Sequence, residues 1–285
     1  MDDRASRCHD GIGQEGVGAV EVVPRLTAGA LPLVVGYLPV PLRAPVAGIG
    51  GYAAALAAAA VGPSGRGELD RVRLGLQRMS AGLWPGHPLL DRLLPTVRAY
   101  ALPIEVLDGM LADSRYALRG CRTFDQLVAC CDRVAGPPGE LALRVLGAGS
   151  AEQLALCRYV CTGSALLGRV VMAATDWQTN RRLLPAVELD RFGMTGDDGA
   201  AVPAWRRAGV LELQAERARA LLESGAPLVA TLRGRRRMAV GAHLAYCRAV
   251  LASLERDRYR PSAWREPTTV MVGRQWVRSL IRHPG

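Results

Sequence analysis

The chain has 285 residues, 49% of them hydrophobic and only 5% aromatic, with a formal net charge of +10. That length and apolar content suit one large domain with a substantial core, and an apolar mass of Ala, Leu and Val tilts it towards helix. Every basic residue is Arg, scattered along the chain without aromatics between, which argues against a nucleic-acid footprint and favours a small anionic ligand such as a diphosphate.

Residues 1–25 are Gly-rich and polar and read as a flexible N-terminal tail ahead of a single domain over 26–285. The tail has no apolar h-region, so it is not a secretory signal. Its Gly11-Ile12-Gly13-Gln14-Glu15-Gly16 matches GxGxxG, but without a strand before and a helix after the match carries no nucleotide reading. The stretch from Ala44 to Ser64 is uncharged and long enough to span a bilayer. Its Ala and Gly content, with Pro45 and Pro63, favours a buried helix and at most peripheral membrane contact.

Helical spacing then continues almost throughout. Gly65 to Arg78 is one helix, Pro85 to Pro88 breaks it, and Leu89 to Tyr100 is the next. Pro103 sits where a proline opens a helix, here one running to about Asp113. Thr123 and Gln126 occupy the positions of a capping box for a helix to Val134. Gly136 to Gly139 reads as a break, followed by apolar runs at Leu141 to Leu146 and Ala151 to Trp177. Glu212 to Glu223 and Met238 to Arg256 are amphipathic, with loops at Gly225-Ala226-Pro227 and Arg233-Gly234-Arg235. No strand-helix alternation, repeat or long linker divides the chain, so the expected fold is all-α.

The seven cysteines form an odd set without a signal peptide, which points to reduced thiols and a cytoplasmic protein. Cys157 and Cys161 share a helix face, yet no histidine or second cysteine pair nearby completes a zinc site, so packed core thiols are expected. His9, His87, His243 and His283 show no metal spacing.

Several ordered segments carry a resemblance. Thr123-Phe124-Asp125-Gln126-Leu127, Cys131 and Val134-Ala135-Gly136 are similar to the TFxxL…YC…VAG run of squalene and phytoene synthases. Leu184-Pro185, Leu189 and Arg191-Phe192-Gly193 resemble that family's YLP…L..FG stretch, and Glu216-Arg217-Ala218-Arg219 its RAR helix. Leu38-Pro39 with Leu42-Arg43 matches LLP..LR, and Gly109-Met110 with Asp113 matches GMxxD. The resemblance covers residues from about 30 to 280 and implies an all-α, isoprenoid-synthase-like domain around a central cavity for isoprenyl diphosphates.

The family ionises an allylic diphosphate with Mg²⁺ held by two carboxylate clusters, whose i, i+4 spacing puts the acids on one helix face. Gap-free counting places the first cluster at Ala57, Ala58 and Val61, and the second at Met172, Thr175 and Asp176. One surviving acid cannot hold a metal cluster, so no metal site is expected and Mg²⁺ keeps at most a weak role. By the resemblance Asp113 and Asp176 are candidate catalytic acids, and Arg43, Arg181 and Arg182 candidate diphosphate ligands. Tyr52, Ala57, Met172 and Trp177 are candidate cavity-lining residues. Each is also compatible with a structural role: a paired Asp, exposed helix arginines, a core Trp.

The resemblance leaves two functions open. One is a prenyltransferase that passes a farnesyl or similar group to an aromatic acceptor such as an indole, in a bacterial natural-product pathway. The other is a non-catalytic homologue that binds isoprenoids or assists assembly of other enzymes. The ordinary Mg²⁺-dependent head-to-head synthase ranks last. A deep apolar pocket with converging arginines would mark the enzyme, and a filled one the partner protein.

Overall fold

The computed structural model describes residues 32–61, 65–116, 120–175, 177–194, 203–260, 267 and 270–275. The tail over 1–25 and its GxGxxG match lie outside them. Among the described residues there is no strand. The helices are α1 (Pro32–Tyr37), α2 (Val40–Val61), α3 (Gly65–Ser80), α4 (Pro88–Ala99), α5 (Ile104–Asp113) and α6 (Phe124–Val145). They continue as α7 (Ala151–Thr175), α8 (Trp177–Asn180), α9 (Ala186–Arg191), α10 (Ala204–Gly225), α11 (Leu228–Thr231) and α12 (Gly234–Arg256).

The expected caps form. The Gln126 amide donates to Thr123 Oγ1 at 3.3 Å at the start of α6. The returning arm of the box reaches one residue further out, with Gln126 Oε1 accepting from the Arg122 amide at 2.9 Å. The break expected at Gly136 to Gly139 does not occur. α6 runs straight through Pro137 and Pro138. The prolines remove N–H donors from the ladder, but burial of Ala135, Gly136, Pro138 and Gly139 against α7 keeps the helix in place. The basic run after Arg233 is likewise not a loop: Arg235, Arg236 and Arg237 form the first turn of α12.

α7 is the axis of the bundle. It packs against α6, α10, α11 and α12. Every residue from Val160 to Val171 is buried, which explains why this segment is apolar on all sides. Close approach depends on glycines in its neighbours. A Cβ at Gly139 of α6 would sit 2.2 Å from Cys161 Sγ. At Gly225, the end of α10, it would sit 2.8 Å from both the Leu156 carbonyl oxygen and the Val160 amide nitrogen. The six described cysteines are free and buried, and Cys157 and Cys161 lie 3.8 Å apart at sulfur, as packed core thiols.

α2 is less enclosed than the sequence suggests. Leu42, Val46, Ile49, Tyr52 and Leu56 are buried against α3, α4 and α6. The opposite stripe of Ala44, Ala47, Gly51 and Ala58 is exposed and just as apolar. By length and composition α2 and α7 both qualify as membrane spans, but α7 is mostly enclosed by protein.

Where α12 meets α7, Ser164 Oγ donates to the Val160 carbonyl at 2.8 Å and lies 2.8 Å from His243 Nε2. The hydroxyl has one hydrogen and has spent it, so the imidazole must donate through Nε2 and is neutral. Burial lowers the His243 pKa from 6.5 to about 4.

Two outcomes follow from this packing. Gly225→Ala should cost about 1–3 kcal/mol, because the added methyl meets backbone that cannot rotate away, and should lower Tm by roughly 3–10 °C in a thermal melt. Between about pH 6.5 and 4 the unfolded chain binds the proton that folded His243 refuses. The stabilisation, on the order of 3 kcal/mol, is therefore complete above pH 6.5 and lost as pH falls through 4. Urea melts across that range should be flatter with pH in His243→Gln than in the parent.

Candidate functional site

Arg169 is the one charged residue of α7 beyond Arg158, and it is buried. A guanidinium taken out of water needs several acceptors. Its Nη1 donates to the Leu183 carbonyl at 3.3 Å and its Nη2 to the Tyr116 carbonyl at 3.1 Å. Those carbonyls close two short 3-10 turns, Ser114–Tyr116 and Arg181–Leu183. The first turn directly follows Asp113, and the second carries Arg181 and Arg182. One buried cation thus draws two distant chain segments to the last turns of α7, where Met172 is half-buried. The segments also touch behind it: a Cβ at Gly120 would lie 3.0 Å from the Arg182 carbonyl oxygen.

Asp113 ends α5 with its carboxylate partly shielded, 3.4 Å from Arg133 Nη1 of α6. The Arg133 guanidinium also stands 5.2 Å from the Tyr116 ring centroid. Its side chain is more than half exposed, so the pair is screened and leaves Asp113 available at the surface of the site. Arg182 is exposed. Trp177, at the start of α8, is buried, and its indole Nε1 has no hydrogen-bond partner among the described residues. A buried donor without an acceptor is uncommon in a folded protein. Asp176 lies outside the described residues.

Two expected site residues are elsewhere. Tyr52 does not line a cavity: it is fully buried, and its hydroxyl donates to the Leu107 carbonyl of α5 at 3.0 Å. Burial, reinforced by the charge of Asp108, raises its pKa, so the phenol is a neutral core donor. Arg43 is engaged at the α1–α2 junction. It sits in the first turn of α2, about 14 positions before Ala57, which is roughly 21 Å along a helix. There its Nε donates to the Leu38 carbonyl at 3.0 Å and its Nη2 to that of Gly36 at 3.2 Å, holding the α1–α2 junction. Ala57 is half-buried on α2. α2 packs against both the Ser114–Tyr116 turn and α6, and α6 in turn packs against α7.

The described residues do not suit a metal cluster. No three His, Cys, Asp or Glu side chains gather among them. Mg²⁺ requires oxygen ligands, and Ala57, Ala58 and Val61 supply none.

Arg169 was not singled out in the sequence, although a signal was present. A lone charge inside a long apolar run is either an error of helix phase or a buried, fully bonded group. A second polar cluster was also hidden. Buried Glu188 of α9 pairs with Arg217 and accepts from Gln214, both of α10, and the Arg217 guanidinium lies 4.0 Å over the Phe124 ring. A groove of about 590 Å³ lies beside it on the flank of α6 and α7. Phe124, Val128, Tyr159 and Leu221 line it, with Asp132 and Arg158 as a paired edge.

Residues 30–271 match the family described as squalene/phytoene synthase. The chain belongs to the squalene/phytoene synthase family. It is 32% identical over 160 residues to the phytoene synthase of Mycobacterium tuberculosis, covering 53% of this chain and 51% of that one. The 15-cis-phytoene synthase of a Synechocystis species is 27% identical over 203 residues, covering 64% and 60%. The aligned region spans about half the length of the mycobacterial relative. Among solved structures, a squalene synthase from Alicyclobacillus acidocaldarius superposes with a TM-score of 0.70 at 24% identity, covering 86% of this chain and 95% of its own. A dehydrosqualene synthase crystallised with a ligand superposes at 0.76 and 15% identity, covering 94% and 99%. At these identities the superpositions establish the fold. Phe124, Glu188 and Arg217, which meet in the second polar cluster, come from three separate segments of the family pattern.

If Arg169 holds the two turns together, Arg169→Met should lose about 2–4 kcal/mol in urea denaturation, because two buried carbonyls lose their donor. Arg169→Lys should recover less than half of that, since a point ammonium cannot match the two-pronged geometry of a guanidinium.

Proposed function

We propose that this family member is a prenyltransferase that takes an isoprenyl diphosphate, farnesyl or similar, and passes the prenyl group to an aromatic acceptor. The observation that carries this reading is the convergence at the end of α7 of Asp113 and the arginine-bearing Arg181–Leu183 turn, both tied to buried Arg169.

In this reading Arg181 and Arg182 hold the diphosphate, whose oxygens match the planar donors of guanidinium. An electron-rich arene carbon attacks the allylic carbon, and the carbon–oxygen bond breaks with its electron pair leaving on the diphosphate. The arene then returns its proton to a base. We assign that base to Asp113, with Asp176 as the other candidate. The orphan indole N–H of Trp177 supplies a further donor beside them. Aromatic assistance reduces the demand on the leaving-group end, which accords with the absence of side-chain oxygens at Ala57, Ala58 and Val61. No step is routed through Mg²⁺.

A second reading, a non-catalytic isoprenoid-binding or assembly protein, is favoured by the unbroken burial of Val160 to Val171 and by Tyr52, which is fully buried between α2 and α5. Incubation with farnesyl and geranylgeranyl diphosphates in the presence of indole, followed by mass spectrometry, separates the two. A prenylated arene supports the transferase, and unchanged diphosphate with every acceptor supports the partner protein.

Binding has its own expected outcome. Calorimetric titration with farnesyl thiodiphosphate should give micromolar affinity, about 8 kcal/mol, little changed by EDTA. Arg182→Ala should weaken it about tenfold or more, as expected for one or two charge-assisted hydrogen bonds at about 1.5–3 kcal/mol each. Affinity abolished by EDTA and indifferent to Arg182 would overturn the arginine site.

A further inference from the structure

Large apolar side chains are exposed at one end of the bundle. The segment between α3 and α4 holds Leu83 and Trp84 at 58% and 56% exposure. This is a built turn. Gly82 and Gly86 adopt φ of +75° and +68°, and Arg78 Nε donates to the Trp84 carbonyl at 2.8 Å. The fold therefore fixes a Leu-Trp pair pointing to solvent, where burying it would lower the free energy.

Topology brings further groups to the same end. Few residues separate α2 from α3, which pack together; a Cβ at Gly65 would meet the Ala59 carbonyl, and Gly48 of α2 and Gly75 of α3 stand one turn apart against Leu93 and Leu90 of α4, so α3 runs back along α2. α2 and α3 extend roughly 33 and 24 Å at 1.5 Å per residue. The end of α3 thus returns to the beginning of α2, where Val40 is 73% exposed and Tyr37 is also exposed. Arg235 Nε donates to the Tyr37 carbonyl at 3.1 Å, which fixes the start of α12 beside them. Arg233, Arg235 and Arg236 are exposed there.

Among the described residues the charge at this end is predominantly positive. Residues 32–61, 81–87 and 228–243 contain no carboxylate. Glu68 of α3 pairs with Arg71 and also lies 3.1 Å from His87 Nε2 at the end of the α3–α4 segment, and Asp70 pairs with Arg73. Asp91, in the first turn of α4, is half-buried with exposed Arg92 beside it. Arginines in the first turn of α12 stand against the helix dipole, an arrangement that costs free energy unless anions are near. An apolar tip of Trp, Leu and Val surrounded by arginines matches an anionic bilayer, with headgroup phosphates for the guanidinium groups and the acyl boundary for the side chains.

We propose that this end of the bundle, through Leu83, Trp84 and Val40 and with Arg78, Arg233 and Arg235, docks peripherally on an anionic lipid surface. It lies at the opposite end of α2 from Ala57, and the exposed apolar stripe of α2 runs between the two. The docking face is independent of the transferase reading, because bilayer binding requires no diphosphate.

The test is flotation of the full chain with vesicles of phosphatidylcholine alone and of an equal mixture with phosphatidylglycerol. Binding should occur on the mixture, be weak on the neutral vesicles and fall steeply with added salt. Trp84→Ser should reduce partitioning about fivefold to tenfold. Arg233→Glu should reduce it on the mixed vesicles by about tenfold or more, since each arginine near such a surface contributes about fivefold and the reversal adds repulsion. Circular dichroism checks that both variants keep the parent helicity. No binding to either vesicle, or binding indifferent to both substitutions, overturns the proposal. So does a dimer in sedimentation velocity that Trp84→Ser dissociates, because the face would then meet a second copy of this chain.

Discussion

A guanidinium inside an apolar bundle must be surrounded by acceptors, and Arg169 meets that demand with main-chain carbonyls rather than leaving the bundle. The constraint organises its surroundings. From Val160 to Val171 α7 is buried on every side, and its close contacts with Gly139 and Gly225 already limit where it can sit. A single charge that must find Tyr116 and Leu183 fixes its register relative to both 3-10 turns. Asp113, Arg181 and Arg182 are positioned because those turns are positioned.

The second polar cluster does similar work one layer out. Glu188, Gln214 and Arg217 bond across α9 and α10, and the Phe124 ring covers the guanidinium. These residues stand in three segments that share the pattern of squalene and phytoene synthases. Phe124 and Arg217 thus belong to contacts that hold helices together. Ala57, Ala58 and Met172 are not members of either cluster. A family fold can persist under change at such positions because packing and ion pairs specify it, while metal ligands on a helix face add little to its assembly.

α2 shows how one helix can serve two environments. Its inner face closes the core through Ile49, Tyr52 and Leu56, and its outer face is a smooth apolar stripe. Small side chains keep that stripe low, so it offers contact area without the bulk that would drive aggregation. Arg43 terminates it by binding the carbonyls at the end of α1.

Much of the fold was legible in the sequence. Helical spacing, the Thr123–Gln126 cap and the Pro103 start gave the helices between residues 65 and 113 nearly to their ends and the start of α6, because these signals act within one or two turns. Composition indicated the buried state of α7 and of the cysteines. Local signals misplaced what neighbours decide: Gly136 to Gly139 reads as a break until α7 packs against it, and Arg235 to Arg237 read as a loop until α1 docks beside them. For the site, the ordered motifs marked Asp113, Arg181 and Arg182, and Arg169, the cation that ties the two neighbouring turns together, is one the motifs passed over. Tyr52 and Arg43 could not be assigned from spacing, since periodicity fixes the face of a helix but not what lies opposite. Only the tertiary structure shows that Tyr52 meets the Leu107 carbonyl and Arg43 the end of α1. Hydrogen bonds between residues far apart in the chain leave no periodic trace in it.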